Sequence, residues 1–293
     1  MNQAQLQTID CPEFDLSITL DSGQVFHWQE NGAGYLGLIG DVSVYAEQRG
    51  EKLLVNRGAG QRVRQYFALD HRLPEICRAF PDDPAMGAAR DFCRGLRIIR
   101  QPHWECLATF ITSSMKQVAH IRQMSRALRI RFGEPRDLCG VELHAFPSAA
   151  RLALSSEAEL RECALGYRAK NLLGTARLVS DGAADLSAWQ SLPDDELRAR
   201  LCELPGVGAK VANCVMLFAY ERLRAFPIDV WIERVLREKY FVGKRKPTAK
   251  KLRQFCDSYF GEHGGYAQQY LFHHARKTTS KKCRHPERSR GTP

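Results

Sequence analysis

Leu201-Cys202-Glu203-Leu204-Pro205-Gly206-Val207-Gly208-Ala209-Lys210 decides how this chain is read. Leu204-Pro205-Gly206-Val207-Gly208 is a tight turn between two helical stretches. Upstream, Asp194-Asp195-Glu196-Leu197-Arg198-Ala199-Arg200-Leu201 predicts a helix with acids in its first turn, where they complement the helix dipole. Downstream, residues 209–218 are mostly apolar and predict a buried helix. Gly206 and Gly208 permit positive φ and close backbone approach. The free N–H groups around Gly206, Val207 and Gly208 can then hold a phosphate. Such a grip reads nucleic-acid backbone rather than sequence. Gly-Val-Gly taken alone is equally a helix–helix turn of any α-helical protein.

Lys210 narrows the reading. At a helix N-terminus among apolar residues, the dipole and burial both disfavour a positive charge, and a neutral amine is what a nucleophile needs. The alternative is a lysine that snorkels to solvent. Asp229, in Phe226-Pro227-Ile228-Asp229, adds a second constraint. A helix over 210–221 runs about 18 Å away from Lys210. The connection 222–228 spans roughly 23 Å when extended, so Asp229 can return to the lysine. Asp229 precedes Val230-Trp231-Ile232-Glu233-Arg234 and reads as an N-cap. It is either a cap alone or also a negative charge facing a developing oxocarbenium ion.

Outward from this segment the chain divides. Short runs at 24–28, 34–40, 42–46 and 51–56 are broken by Gly, Asn and Asp and predict an antiparallel meander. From about residue 61 the pattern turns helical. Val118, Ile121, Met124, Leu128 and Phe132 form an amphipathic stripe, and Arg122, Arg126 and Arg129 read as its solvated face. Residues 137–148 and 180–192 predict loops. The fold class is α+β: an N-terminal β-rich domain (1–95), then a mostly α-helical core with a helix-hairpin-helix motif (96–277). A basic tail (278–293) is expected to be disordered.

Lys and Arg number 43 against 33 Asp and Glu, a formal net charge of +10, which suits a polyanionic partner. No secretory signal and no apolar run of membrane-spanning length is found. The 10 cysteines are scattered without a Cys-x-x-Cys pair, as in a reducing, intracellular compartment. His263, His273, His274, Cys283 and His285 have no spacing that suits a compact zinc site.

The hairpin, Lys210 and Pro227-Ile228-Asp229 resemble the helix-hairpin-helix, Gly/Pro-Asp superfamily of DNA glycosylases. Further blocks resemble its 8-oxoguanine glycosylase/lyase branch: Ser22-Gly23-Gln24-Val25-Phe26-His27-Trp28, Arg97 to Gln101 with Trp104 to Leu107, Gly166 to Lys170, and Ala267 to Phe272. The resemblance spans roughly residues 10–277. It implies Lys210 as nucleophile and Schiff-base residue, and Asp229 as its partner in base loss and proton handling. It implies that the Gly23 carbonyl accepts the N7–H that only the oxidised guanine carries. Gln268 would read the Watson–Crick edge, Phe272 and Cys214 would sandwich the flipped ring, and Tyr167 would wedge into the stack. The partner is damaged duplex DNA, met by a monomer. No cofactor is implied beyond a structural monovalent cation on the hairpin carbonyls. Only Cys256 and Cys283 lie where some relatives carry a four-cysteine iron–sulfur site, so no cluster is expected.

Three positions depart from the branch. Met115 stands where an asparagine begins a gap-filling run, His120 replaces an arginine, and Trp231 replaces a phosphate-binding histidine. Of the expected cytosine contacts only Arg168 remains, which predicts weaker discrimination for cytosine opposite the lesion. The rival readings are an alkylated-purine glycosylase, against which Lys210 argues, and a DNA-binding module without turnover.

Overall fold

The N-terminal runs form a five-stranded antiparallel sheet in the order β1-β5-β4-β3-β2, from β1 (Leu6–Asp10), β2 (Gln29–Asn31), β3 (Gly34–Ile39), β4 (Val42–Arg49) and β5 (Lys52–Asn56). The computed structural model describes residues 5–138, 140–243 and 246–282. β1 was not expected; it pairs with β5, with Leu6 opposite Asn56. Residues 24–28, expected as a strand, are irregular. Their polar groups bond elsewhere: the Gln24 side chain accepts from Ile99 N–H (2.8 Å), and its backbone carbonyl accepts from Gln101 Nε2 (2.9 Å). The Gln24 carbonyl is thus given to a side chain rather than to a neighbouring strand.

Both faces of the sheet are covered. On one, α1 (Leu16–Asp21) and α2 (Gly60–Tyr66) bury Leu16, Leu20, Val63 and Tyr66 against Val44, Leu53 and Val55. On the other, Leu36, Leu38 and Tyr45 meet Leu143 and Ala145. Leu143 belongs to a hairpin of β6 (Pro135–Leu138) and β7 (Val141–His144), which overlaps the segment 137–148 expected as a loop. Burial on both faces explains why β3 reads as a nearly continuous apolar run.

α3 (Leu73–Arg78) and α4 (Pro84–Phe92) follow in the chain, yet Leu73, Ile76, Met86 and Ala89 join the helical core. The two apolar cores interleave in sequence: Phe26 joins the helical core and Ile99 the sheet core. The helical core is completed by α5 (His103–Ser113), α6 (Val118–Phe132), α7 (Ala149–Ala153), α8 (Glu157–Leu160) and α9 (Arg168–Ser180). Then come α10 (Asp194–Glu203), α11 (Ala209–Phe218), α12 (Val230–Val235), α13 (Ala249–Tyr259) and α14 (Gly264–Lys282). α14 runs through residues 278–282, where a disordered tail was expected; 283–293 lie outside the described residues. No described helix is long and apolar enough to cross a membrane.

The α6 stripe is buried as expected at Ile121, Met124, Leu128 and Phe132, but Arg129 is not on a solvated face. It is buried, donates to the His144 carbonyl (3.1 Å) and pairs with buried Glu105. Glu105 also faces His27 Nδ1 at 3.5 Å, so this group joins the sheet, α5, α6 and β7. A buried arginine needs such partners, and hydrophobic periodicity carries no sign of them.

Candidate active site

The hairpin between α10 and α11 is anchored inward. Val207, expected to face DNA, is buried in the helical core, and its N–H donates to the Leu204 carbonyl (3.1 Å). The Pro205 carbonyl accepts from Thr175 Oγ1 of α9 (3.0 Å). Gly206 has φ +81°, and a Cβ there would lie 2.8 Å from the Asn171 Cβ, so this turn requires glycine twice over. Gly208 differs: its φ is −101°, and a Cβ would meet nothing within 4 Å. Nothing in the protein demands glycine at 208, so the open space faces outward, where a ligand backbone can approach.

Lys210 is the second residue of α11 and half-buried. Its Nζ lies 5.2 Å from the centre of the Phe110 ring, which is itself stacked on Phe218 at 5.5 Å. Phe110 carries no signal in an apolar helix and was not anticipated. The chain returns after α11 as the spacing allows. Asp229 caps α12, with Oδ1 accepting from Trp231 N–H (3.0 Å) and Ile232 N–H (2.9 Å). Burial raises the Asp229 carboxyl above its ordinary range, opposed by the Ile232 N–H, the Lys210 charge and the Trp231 N–H. Cys214 follows Lys210 by one helical turn. Burial pushes its thiol to about 11 despite the nearby Lys210 charge, so Cys214 is a neutral, apolar wall.

These groups line a cavity of about 980 Å³, closed on its far side by Gly23, Gln268 and Phe272. Gly23 has φ +88°, and a Cβ there would sit 3.1 Å from Phe272 Cε1, so its backbone lies close against the ring. Gln268 is 4% exposed, and its buried Oε1 accepts no hydrogen bond among the described residues. An orphaned amide oxygen costs about 1–3 kcal/mol, which a ligand donor would recover. Trp231 also lines the cavity, with the Arg234 guanidinium 5.4 Å from its ring.

The rim is less uniform. Met115 is 94% exposed with φ +54°, a protruding apolar side chain on a strained turn. Arg168 is 5% exposed and committed to the protein: Nε donates to the Ser114 carbonyl (2.9 Å), Nη2 to the same oxygen, and the guanidinium lies 4.3 Å from the Tyr167 ring. Arg168 thus holds the turn that carries Met115. Tyr167 projects at 58% exposure. His120 is exposed on α6; neither it nor Tyr167 lines the cavity. Among the described residues no cluster of three or more His, Cys, Asp or Glu is placed to hold a metal ion; Cys283 and His285 lie outside them.

Residues 8–107 match the family profile of the 8-oxoguanine DNA glycosylase N-terminal domain, and residues 108–261 that of the HhH-GPD superfamily of base excision DNA repair proteins. The N-glycosylase/DNA lyase OGG1 of Arabidopsis thaliana is 33% identical over 89% of this chain and 77% of its own length. The chain belongs to the 8-oxoguanine DNA glycosylase family of the HhH-GPD superfamily. Among solved structures, the Clostridium acetobutylicum 8-oxoguanine glycosylase/lyase, in complex with double-stranded DNA containing cytosine opposite 8-oxoguanine, is 31% identical with a TM-score of 0.86, covering 93% of this chain and 98% of that one. MBOgg1, in complex with a low-affinity DNA ligand, is 31% identical with a TM-score of 0.89 over 94% and 96%. Within this family frame the cavity is composite. Lys210, Cys214 and Asp229 fall inside the superfamily match, Gly23 in the N-terminal match, and Gln268 and Phe272 beyond residue 261.

Proposed function

We propose that this chain excises 8-oxoguanine from duplex DNA through a Lys210 Schiff base and then cleaves the abasic strand. One observation carries the reading: an amine and a carboxylate share a cavity with a buried, unsatisfied amide oxygen. The target base must leave the stack to be reached. Gly206 and Gly208 hold the phosphate backbone while Tyr167 and Met115 enter the space beside the extruded nucleotide. The ring lies between Phe272 and Cys214. Gln268 Oε1 accepts from the Watson–Crick edge, and the Gly23 carbonyl accepts the N7–H. As the glycosidic bond breaks, the Asp229 carboxylate stabilises the positive charge developing on the sugar. Lys210 Nζ bonds to C1′ as the base departs with the glycosidic electron pair; the C1′–O4′ bond then opens, O4′ takes up a proton given up by the amine, and the C1′=Nζ Schiff base is formed. Loss of a C2′ proton then expels the 3′ phosphate by β-elimination.

All these groups come from one copy, so a monomer is sufficient. The substrate places the work inside the cell. The residues fit a monovalent cation at the hairpin: Leu204 and Pro205 carbonyls accept one hydrogen bond each, leaving a lone pair on each oxygen. His120 stands away from the cavity, and Arg168 is held by Ser114. We therefore assign little discrimination for cytosine opposite the lesion.

Borohydride trapping on a duplex with one 8-oxoguanine tests the mechanism. The expected result is an adduct with wild type and none with Lys210→Gln. Base loss without an adduct would reassign the chain to hydrolytic glycosylases, and tight binding without either product would remove 8-oxoguanine as substrate.

A further inference from the structure

The Gly23 carbonyl is flanked by backbone carbonyls that are all occupied. Asp21 O accepts from Arg276 Nη2, Ser22 O from Gln269 Nε2 (2.8 Å), and Gln24 O from Gln101 Nε2 (2.9 Å). The Asp21 carboxylate is paired with Lys277 and lies 3.3 Å from Arg122 Nη2. Gln269 and Arg276 stand on α14, either side of Phe272, which packs on Gly23. One helix therefore places the aromatic wall and also fixes the carbonyls on the chain leading into Gly23.

We propose that Gln269 and Arg276 are specificity-positioning residues: by holding the Ser22 and Asp21 carbonyls they aim the Gly23 carbonyl at the N7 position of the flipped purine. This rests on the reading above that Gly23 accepts N7–H. The need for positioning is physical. Guanine and 8-oxoguanine differ at N7 by acceptor against donor, and a fixed acceptor rewards one and repels the other. A carbonyl free to rotate loses that contrast, because a hydrogen bond weakens steeply with misalignment. Gln269 is 2% exposed at the cavity wall, and its amide Nε2 is committed to the Ser22 carbonyl, so its proposed effect runs through the backbone leading into Gly23.

The test is a chemical cycle on the full chain. Single-turnover excision is measured on duplexes carrying 8-oxoguanine or 8-oxo-7-deazaguanine, which has no N7–H donor, for wild type, Gln269→Met and Arg276→Met. Cleavage of a preformed abasic site, which needs Lys210 but no base, reports that the variant is folded. Wild type should prefer 8-oxoguanine, and each variant should narrow that ratio, by on the order of tenfold for Gln269→Met, the worth of one well-made hydrogen bond. Equal slowing on both bases, with the ratio intact, would overturn the proposal and leave the two residues merely structural. If Gln269→Met fails to cleave abasic sites, Arg276→Met decides by the same ratio. A wild type indifferent to the deaza substitution overturns the Gly23 reading itself and this inference with it, whereas an intact wild-type ratio unmoved in the variants overturns only the positioning.

Discussion

Lys210 and Asp229 stand in the part of the chain that matches the wider HhH-GPD superfamily, whereas Gly23, Gln268 and Phe272 come from the segments before and after it. The two halves of the cavity are also built differently. The amine and carboxylate sit at the N-termini of α11 and α12, on elements rooted in the helical core. The facing half joins an irregular segment of the sheet domain to α14, through side-chain bonds from Gln269 and Arg276 to backbone carbonyls. On the mechanism proposed above, bond-breaking groups rest on a general scaffold, and base recognition is added around it. Damage to the first half should stop all chemistry, and damage to the second should remove selectivity while sparing cleavage at abasic sites.

The largest effect tests the chemical half. Lys210→Gln should lose abasic cleavage as well as 8-oxoguanine excision, each by on the order of 10³ or more. Retained abasic cleavage would show that the amine belongs to the recognition half alone. Asp229→Asn should reduce excision by about 10²–10³, the scale of a preorganised electrostatic contact. Its stability should hold or rise at neutral pH, because asparagine keeps the cap and removes a carboxylate whose ionised form burial disfavours. The sign follows from the raised carboxyl: wild type gains stability at this position as pH falls and the group protonates. A clear drop in Tm for Asp229→Asn would make the residue a structural anchor.

The recognition half should respond more selectively. Gly23→Ala forces a Cβ into the +88° backbone and against Phe272, a cost of about 1–2 kcal/mol. Excision of 8-oxoguanine should fall by about tenfold with abasic cleavage little changed; equal losses would erase the division. At the rim, rates opposite C, A, G and T should lie within about tenfold of one another, since one bidentate base contact is worth about 1–3 kcal/mol and Arg168 is already committed to Ser114. A strong preference for C alone sinks that expectation.

The smallest effect concerns the support beneath recognition. Burial, reinforced by Arg276, lowers His273 from 6.5 to about 4. The unfolded chain then binds more protons between those values, so stability is lost as pH falls from 6.5 towards 4. Melting curves of wild type and His273→Gln should converge through that window, and parallel curves would detach His273 from the effect.

Much of the segment that carries Lys210 and Asp229 was legible because its signals are local. Gly-Val-Gly-Ala-Lys and Pro-Ile-Asp lie in one short segment, and caps and turns follow from neighbouring residues. The strands at 34–39, 42–49 and 52–56 were legible for the same reason. Partners far apart in sequence were not. β1 pairs with β5, Arg129 meets Glu105 and His144, and β7 covers the sheet, although none of these contacts leaves a local periodicity.

The sequence by itself determined the family, the place of Lys210 at the start of a buried helix, the capping carboxylate and the division into sheet and helices, since each depends on residue type and short spacing. The tertiary structure decided which of the hairpin residues face outward: Val207 turned into the core and Gly208 into open space. It also decided that Arg168 braces the Met115 turn, that Phe110 lies beneath Lys210, and that α14 pins the backbone around Gly23. Those outcomes depend on which donors remain unpaired once distant segments are packed, a quantity that exists only in the folded chain.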